Sequence, residues 1–335
     1  MGSKLFKIYS ECGHFLQTYW RSEGLAEKTL SVMGAGLASY YTIKHGIRLF
    51  NYLRPIPFSL SYQYGSGSWV VITGATSPLG RAFALEFAKK GFSLCLISRS
   101  DDKLEALKKE IHNINNLVGI KIIAVDFDKC LLPNFFASIF DELKGLDISV
   151  LINNAGVDFF DYFTESTIHQ LHELFCVNVF AVIQLTQFIV KKMLQRKFNS
   201  AVINLSSHEG VFPSAFSSVY SASKAFVDQF STELAKEIGP KIDVLAFRPY
   251  WIRSDLPHFM KRILNVSAER SVQACLDQLS KGYTTYGNWK HALLGVGKEF
   301  LPVWVRNMGS KAMKPISIEE RRKVFMRFEK RRRYI

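Results

Sequence analysis

Six short apolar runs punctuate the middle of this chain, at residues 69–72, 93–98, 120–125, 148–152, 201–205 and 241–247. Helix-patterned stretches lie between them: one from the turn after residue 72 to Lys90, others at residues 102–117, 178–193 and 219–238. Strands and helices that alternate this way predict an α/β fold, a doubly wound parallel sheet. At 335 residues the chain can bury a large core, so one large domain plus appendages is expected.

The first run leads into Thr73-Gly74-Ala75-Thr76-Ser77-Pro78-Leu79-Gly80 and then a helix. A strand, a tight turn of small residues and a helix start form a pyrophosphate cradle, as in Rossmann-type domains. Backbone N–H groups and the helix dipole face the anion there, and glycine lets the chain approach closely. Gly74, Thr76, Ser77 and Gly80 are therefore candidate cofactor residues. Pro78 stands where a third glycine is common; it removes a donor N–H and adds bulk near the phosphates. The second strand ends at Arg99, where an acid would favour NAD and a cation favours the 2′-phosphate of NADP. Asp126, after the third strand, is placed to contact the adenine. Asn153-Asn154-Ala155-Gly156 follows the fourth strand, so Asn154 and Ala155 line the cofactor's flank.

Ser206-Ser207 follows the fifth strand, and Tyr220 and Lys224 lie four apart on the next helix, hence on one face. A nearby ammonium favours the phenolate, which makes the tyrosine a proton donor and acceptor near neutral pH. Ser207 can hold the reacting oxygen. Asn178, at the start of its helix, serves as a cap or places a water behind Lys224. After the sixth strand, Arg248-Pro249-Tyr250 forms a loop that can cover a nicotinamide. His169 and His172 have a spacing that metals use, but with no further ligand in view they read as a surface pair, and no metal is expected. His208 and Glu209 line either the substrate mouth or a solvated loop.

Net charge is +14, and its distribution gives it meaning. Residues 1–68 hold seven Lys/Arg and three Glu, and residues 288–335 thirteen Lys/Arg and four Glu, whereas the stretch between holds twenty-three basic and twenty-two acidic residues. A nucleic-acid groove would put basic residues on the folded body, so no nucleic-acid partner is expected. Basic segments flanking apolar ones suit the anionic cytoplasmic face of a membrane. Residues 29–43 are uncharged, but as a helix they reach about 22 Å, short of the roughly 30 Å hydrocarbon core. They either span with Lys28 and Lys44 snorkelling or lie in the interface. Aromatics at residues 50–58 prefer headgroup level, and Tyr64-Gly65-Ser66-Gly67-Ser68 reads as a flexible boundary. The expected organisation is a membrane-associating segment at 1–64, the Rossmann-type domain at 65–287, and an apolar and basic tail at 288–335. Five scattered cysteines without a C-x-x-C pair suit a reduced, cytosol-facing domain.

Over about residues 69–260 the chain resembles the short-chain dehydrogenase/reductase family. The resemblance rests on Thr73-Gly74 with Gly80, Asn153-Asn154-Ala155-Gly156, Asn178, Ser207 and Tyr220 with Lys224. It is similar in particular to the microsomal branch of 17-beta-hydroxysteroid dehydrogenases and very-long-chain 3-oxoacyl-CoA reductases, through Ile97-Ser98-Arg99, residues 220–228, Pro249-Tyr250 and residues 291–304. The resemblance implies NADPH-dependent reduction of a lipid or steroid ketone, with Tyr220 as proton donor. Lys224 would lower the tyrosine pKa and bond the nicotinamide ribose, Ser207 would hold the carbonyl oxygen, and Asn178 would hold a relay water. Pro249 would contact the cofactor. It also implies an endoplasmic-reticulum membrane location with the catalytic domain facing the cytosol, and a homodimer or elongation-complex partners. Two other readings stay open: a noncatalytic lipid- or partner-binding module whose cofactor site Pro78 impairs, and a soluble reductase of small carbonyls.

Overall fold

The computed structural model describes residues 24–53, 59–159, 162–214, 216–250 and 266–302 and the single position His14. The described chain falls into two units that part between Arg54 and Pro55.

The first unit is one helix, α1 (Leu25–Leu53), of 29 residues. It extends past the uncharged run through Lys44, and at 1.5 Å per residue it is about 43 Å long. Leu30, Met33, Leu37, Ile43 and Phe50 are exposed on it. Tyr40 and Tyr41 meet edge to face, with the Lys44 ammonium 5.8 Å from each ring centroid. The aromatic stretch beyond residue 53 and the basic clusters at 321–323 and 330–333 lie outside the described residues.

The second unit is built on seven parallel strands: β1 (Trp69–Thr73), β2 (Ser93–Ser98), β3 (Ile120–Ala124), β4 (Ile148–Asn153), β5 (Ser200–Leu205), β6 (Ile242–Phe247) and β7 (Thr284–Thr285). Their order is β3-β2-β1-β4-β5-β6-β7. The reversal of direction between β1 and β4 opens a crevice at their carboxyl ends. The doubly wound sheet is thus as expected, with β7 added; its two threonines are too short a run to register in the sequence. Alternation within strands sorts the core. Val70, Ile72, Leu94 and Leu96 face one side, against Phe83 and Phe87 of α3 (Pro78–Lys89) and Leu104 and Ile111 of α4 (Asp101–Ile114). Val71, Cys95, Ile97 and Leu151 face the other, against Ile139 of α5 (Phe135–Leu143) and Leu185, Ile189 and Met193. Near-continuous apolar strands are what a sheet covered on both faces requires.

Three expectations are corrected. The helix expected to begin at Asn178 begins ten residues earlier. It runs as α6 (Ile168–Phe175), a π-helical turn at Cys176–Phe180 and α7 (Ala181–Met193). A capping box of Thr167 and Gln170 starts it, satisfying N–H groups that a start at Asn178 would leave bare. By length and composition Ile168–Met193 is apolar enough to cross a membrane, yet 67% of its 18-residue apolar window is buried, as in a core helix. Next, the expected flexible boundary is seated in the body. Tyr64, on the short helix α2 (Leu60–Tyr64), is fully buried with its hydroxyl bonding Asp243 Oδ2 at 2.8 Å. Ser68 is also buried, donating to Gly65 O at 2.6 Å. Finally, beyond α10 (Ala268–Leu276), the expected tail contributes α11 (Trp289–Phe300), whose His291 is fully buried.

Candidate active site

The crevice between β1 and β4 is laced shut at its base. Thr73 Oγ1 accepts the N–H groups of Asn154 and Ala155, each at 3.0 Å. The Asn154 amide donates to Thr73 O, Gly74 O and Ser77 Oγ at 2.8–3.0 Å. Gly74 has φ +61, and a Cβ on Gly80 would stand 2.3 Å from Gly74 O, so neither position tolerates a side chain. Ser77 caps α3 by accepting the Gly80 N–H at 3.1 Å. Pro78 occupies the first turn of that helix, where its fixed φ is preorganised and its missing N–H has no partner within the helix. The cradle forms around Pro78 with one donor fewer.

At the neighbouring edge, Thr76 and Ser98 share a hydroxyl bond of 2.7 Å. The Arg99 side chain is half exposed, with Glu173 3.8 Å away. The Asp126 carboxylate caps the Phe127–Lys129 turn by accepting the Asp128 N–H at 3.2 Å.

The candidate catalytic groups meet where β5 ends against α9 (Ser218–Ile238). Ser207 Oγ accepts the Glu209 N–H at 3.1 Å and so caps the short turn α8 (His208–Val211). That bond occupies a lone pair and leaves the hydroxyl proton to donate. Ser206 Oγ donates to Lys224 O at 2.9 Å, and the Lys224 ammonium to Leu205 O at 2.8 Å, so strand end and helix are tied both ways. Gly210 permits the contact: a Cβ there would lie 2.8 Å from the backbone C and O of Lys224. Asn178 lies in the π-helical turn. Its Oδ1 accepts the Val157 N–H and its amide donates to Val157 O, both at 2.9 Å, and also to Ser223 Oγ at 3.1 Å. A Cβ on Gly156 would fall 3.3 Å from the Lys224 ammonium and 3.5 Å from Asn178 Oδ1, so glycine keeps a gap open between them.

Electrostatics depart from one expectation. Burial lowers the Lys224 pKa to about 8, with Asp158 acting upward. The Tyr220 phenol is held well above its usual value by burial and then Asp158, while its hydrogen bond with Ser207 acts downward. The Lys224 ammonium points at Leu205 O and lies 5.8 Å from the Tyr220 ring centroid, so it does not depress this phenol. The Tyr220 phenol is accordingly held protonated. Glu209, raised by burial, accepts from Ser217 Oγ at 2.6 Å.

The site also holds groups that residue spacing did not reveal. The Arg248 guanidinium and Asp228 carboxylate pair through two bonds of 2.5 Å. Pro249 O accepts the His208 N–H at 3.1 Å, which pins the loop after β6 to the serine turn. His208 is buried, with Lys298 of α11 at its Nε2. Burial and the Lys298 charge pull the His208 pKa down to about 3. His208 is therefore buried beside Ser207 rather than part of a solvated loop. Lys298 is 74 residues from Lys224, and only the folded chain brings it there. Among the described residues no group of three or more His, Cys, Asp or Glu is placed to hold a metal.

Residues 68–262 match the family model described as short chain dehydrogenase. The very-long-chain 3-oxoacyl-CoA reductase of Macaca fascicularis is 32% identical over 281 residues, covering 82% of this chain and 88% of the relative. The human 17-beta-hydroxysteroid dehydrogenase type 3 is 32% identical over 266 residues, covering 78% and 84%. A structure solved in work on 7beta-hydroxysteroid dehydrogenase stereoselectivity superposes with a TM-score of 0.68 at 22% identity, over 76% of this chain and all of that one. A short-chain dehydrogenase from Sphingobium yanoikuyae in complex with NADPH superposes at 0.58 with 25% identity, over 70% and 96%.

Proposed function

The chain belongs to the short-chain dehydrogenase family, and on that premise we propose that it is an NADPH-dependent ketone reductase acting on a lipid at the endoplasmic-reticulum membrane. The preferred substrate is a long 3-oxoacyl-CoA, ahead of a 17-ketosteroid, because a membrane site suits long acyl chains. The observation that carries the reading is the seating of Ser207, Tyr220 and Lys224 together beside the β1/β4 crevice.

The residues fit a dinucleotide. The Gly74/Gly80 turn packs so tightly on itself and on Asn154 that neither glycine can carry a Cβ, and it opens a helix N-terminus suited to a pyrophosphate. Pro78, the support for a noncatalytic module, is accommodated there without loss of the Ser77 cap. Arg99, half exposed at the end of β2 and 3.8 Å from Glu173, can turn toward a 2′-phosphate. Asp126, Asn154, Ala155 and Pro249 would flank the cofactor. A bound nicotinamide supplies the hydride. The chain's own groups do the rest. Ser207, its lone pair engaged by Glu209 N–H, donates a hydrogen bond to the carbonyl oxygen, keeping its proton, and stabilises the growing charge. Tyr220, held protonated, delivers the proton to that oxygen. Lys224 uses one of three donors on Leu205 O, leaving two for the ribose and a relay water. The Gly156 gap, bordered by Asn178, is the place for that water.

The membrane reading rests on α1, with its exposed apolar side chains and its Tyr40, Tyr41 and Lys44 group, and on the basic C-terminal residues. The test is NADPH oxidation against a panel of 3-oxoacyl-CoAs and 17-ketosteroids, with Tyr220→Phe alongside. Turnover should vanish in the variant while NADPH binding survives. Wild-type rates in purified Tyr220→Phe would overturn the assignment.

A further inference from the structure

The expected tail supplies a group that reaches the turn carrying Ser207. α11 is drawn close by Gly295, where a Cβ would lie 2.4 Å from the Tyr286 ring. From that helix the Lys298 ammonium comes to 2.9 Å from His208 Nε2 and stacks over Phe212 and Tyr250, 5.7 and 5.6 Å from their centroids. An ammonium has donors and no acceptor, so His208 Nε2 must accept and the ring proton sits on Nδ1. That imidazole is 2% exposed, and its Nδ1 has no partner among the described residues. Phe212 and Tyr250 also pack against it, at centroid distances of 4.9 and 4.6 Å. Leaving a buried polar group this constrained is costly unless its neighbour fixes it. His208 directly follows Ser207, and its backbone N–H is tied to Pro249 O.

We propose that Lys298 is a positioning residue for the reduction: by bonding His208 it fixes a neutral imidazole in one tautomer and thereby seats the turn from which Ser207 acts. The inference rests on the reductase reading above. The charged and titratable groups that act on His208 are Lys298 and His291 from α11 and Arg248 from the end of β6, with Glu209 beside it in its own turn. The first three disfavour imidazolium. Removing the Lys298 charge lifts one of the causes that hold His208 neutral and raises its pKa, while burial, the larger cause, remains. A protonated ring donates from both nitrogens and no longer fits its pocket.

The experiment uses the full chain with NADPH and a long-chain 3-oxoacyl-CoA, comparing wild type, Lys298→Met and Lys298→Gln across pH. Loss of one charge-assisted bond near the reacting hydroxyl is expected to lower kcat roughly tenfold in Lys298→Met, with NADPH affinity held within about twofold. Both variants should also gain an acid limb in kcat at a pH above the wild-type value of about 3, staying below about 6.5 because burial still disfavours imidazolium. Lys298→Gln keeps a donor without the charge and serves if Lys298→Met does not fold. Adding His208→Leu to either should erase the limb. A loss of kcat without the limb assigns Lys298 to packing alone and overturns the proposal. So does a limb that persists after His208 is replaced, or a kcat unchanged in both variants. Failure of wild type to reduce that acyl-CoA or any panel ketone overturns the reductase reading instead.

Discussion

Gly210→Ala isolates geometry from chemistry, because the added methyl touches no reacting group. Its Cβ would stand 2.8 Å from the carbonyl carbon and oxygen of Lys224 and 3.0 Å from Ala225 N. Ordinary carbon contacts lie at about 3.5–4.0 Å, so the serine turn and α9 must part by roughly 0.7–1.2 Å. Both sides are backbone and cannot swing away as a flexible side chain would. Ser207 and Tyr220 stand on opposite sides of that contact. A misplacement of about 1 Å costs on the order of a hundredfold in rate, so kcat should fall about that much. Overpacking should lower stability by about 1–3 kcal/mol. The assay is NADPH consumption at saturating ketone, with the melting temperature recorded for the same sample. Gly145→Ala is the control, since its Cβ would meet nothing within 4 Å; it should change stability by no more than about 0.5 kcal/mol. If Gly210→Ala retains kcat within about threefold of wild type, the seating of α8 on α9 does not set the reacting geometry.

Arg99→Ala should weaken NADPH binding by roughly ten- to a hundredfold, the worth of a charge-assisted hydrogen bond, and leave NADH binding unchanged. Equal losses for both cofactors in fluorescence titrations would count against a 2′-phosphate role. Deleting residues 1–54 with 316–335 should release a folded protein from membranes, and sedimentation of that form with microsomes would place the anchor elsewhere. Cutting at residue 64 instead removes buried Leu60 and Tyr64 and should cost roughly 3 kcal/mol or more in chemical unfolding. Because the folded His208 pKa lies near 3, below the unfolded value of about 6.5, the unfolded chain takes up the proton first as pH falls. This residue's contribution is therefore complete above about pH 6.5 and should decline by about 2 kcal/mol between pH 7 and 5. The raised carboxyl of Glu209 acts in the opposite sense, so the His208 share is read as wild type minus His208→Leu.

Much of the site was legible because local spacing encodes it. A glycine turn after a strand, a serine after another and Tyr220 with Lys224 one helical turn apart are each set by short stretches of chain. Periodicity likewise predicted six of the seven strands and their alternation with helices, since both faces of a parallel sheet must be apolar. Asn178 was found by type and misplaced by context: an asparagine ahead of an apolar helix looks like a cap, and a π-helical turn inside a longer helix leaves no simple period.

The residues alone picked out the candidate groups and the elements on which they stand. Tertiary packing decided their electrical state and their company. Lys224 was expected to depress the Tyr220 pKa because four residues on a helix bring them together. Folding turns the ammonium to Leu205 O and buries the phenol, and desolvation outweighs proximity. Gly210 and Lys298 had no local signal, because each matters only through a partner distant in sequence: the backbone of Lys224 for one, His208 for the other. Tyr64 passed for a hinge beside glycines until the sheet supplied Asp243 for its hydroxyl. Composition fixes what a residue can donate, accept or bury; only the assembled core fixes what it meets.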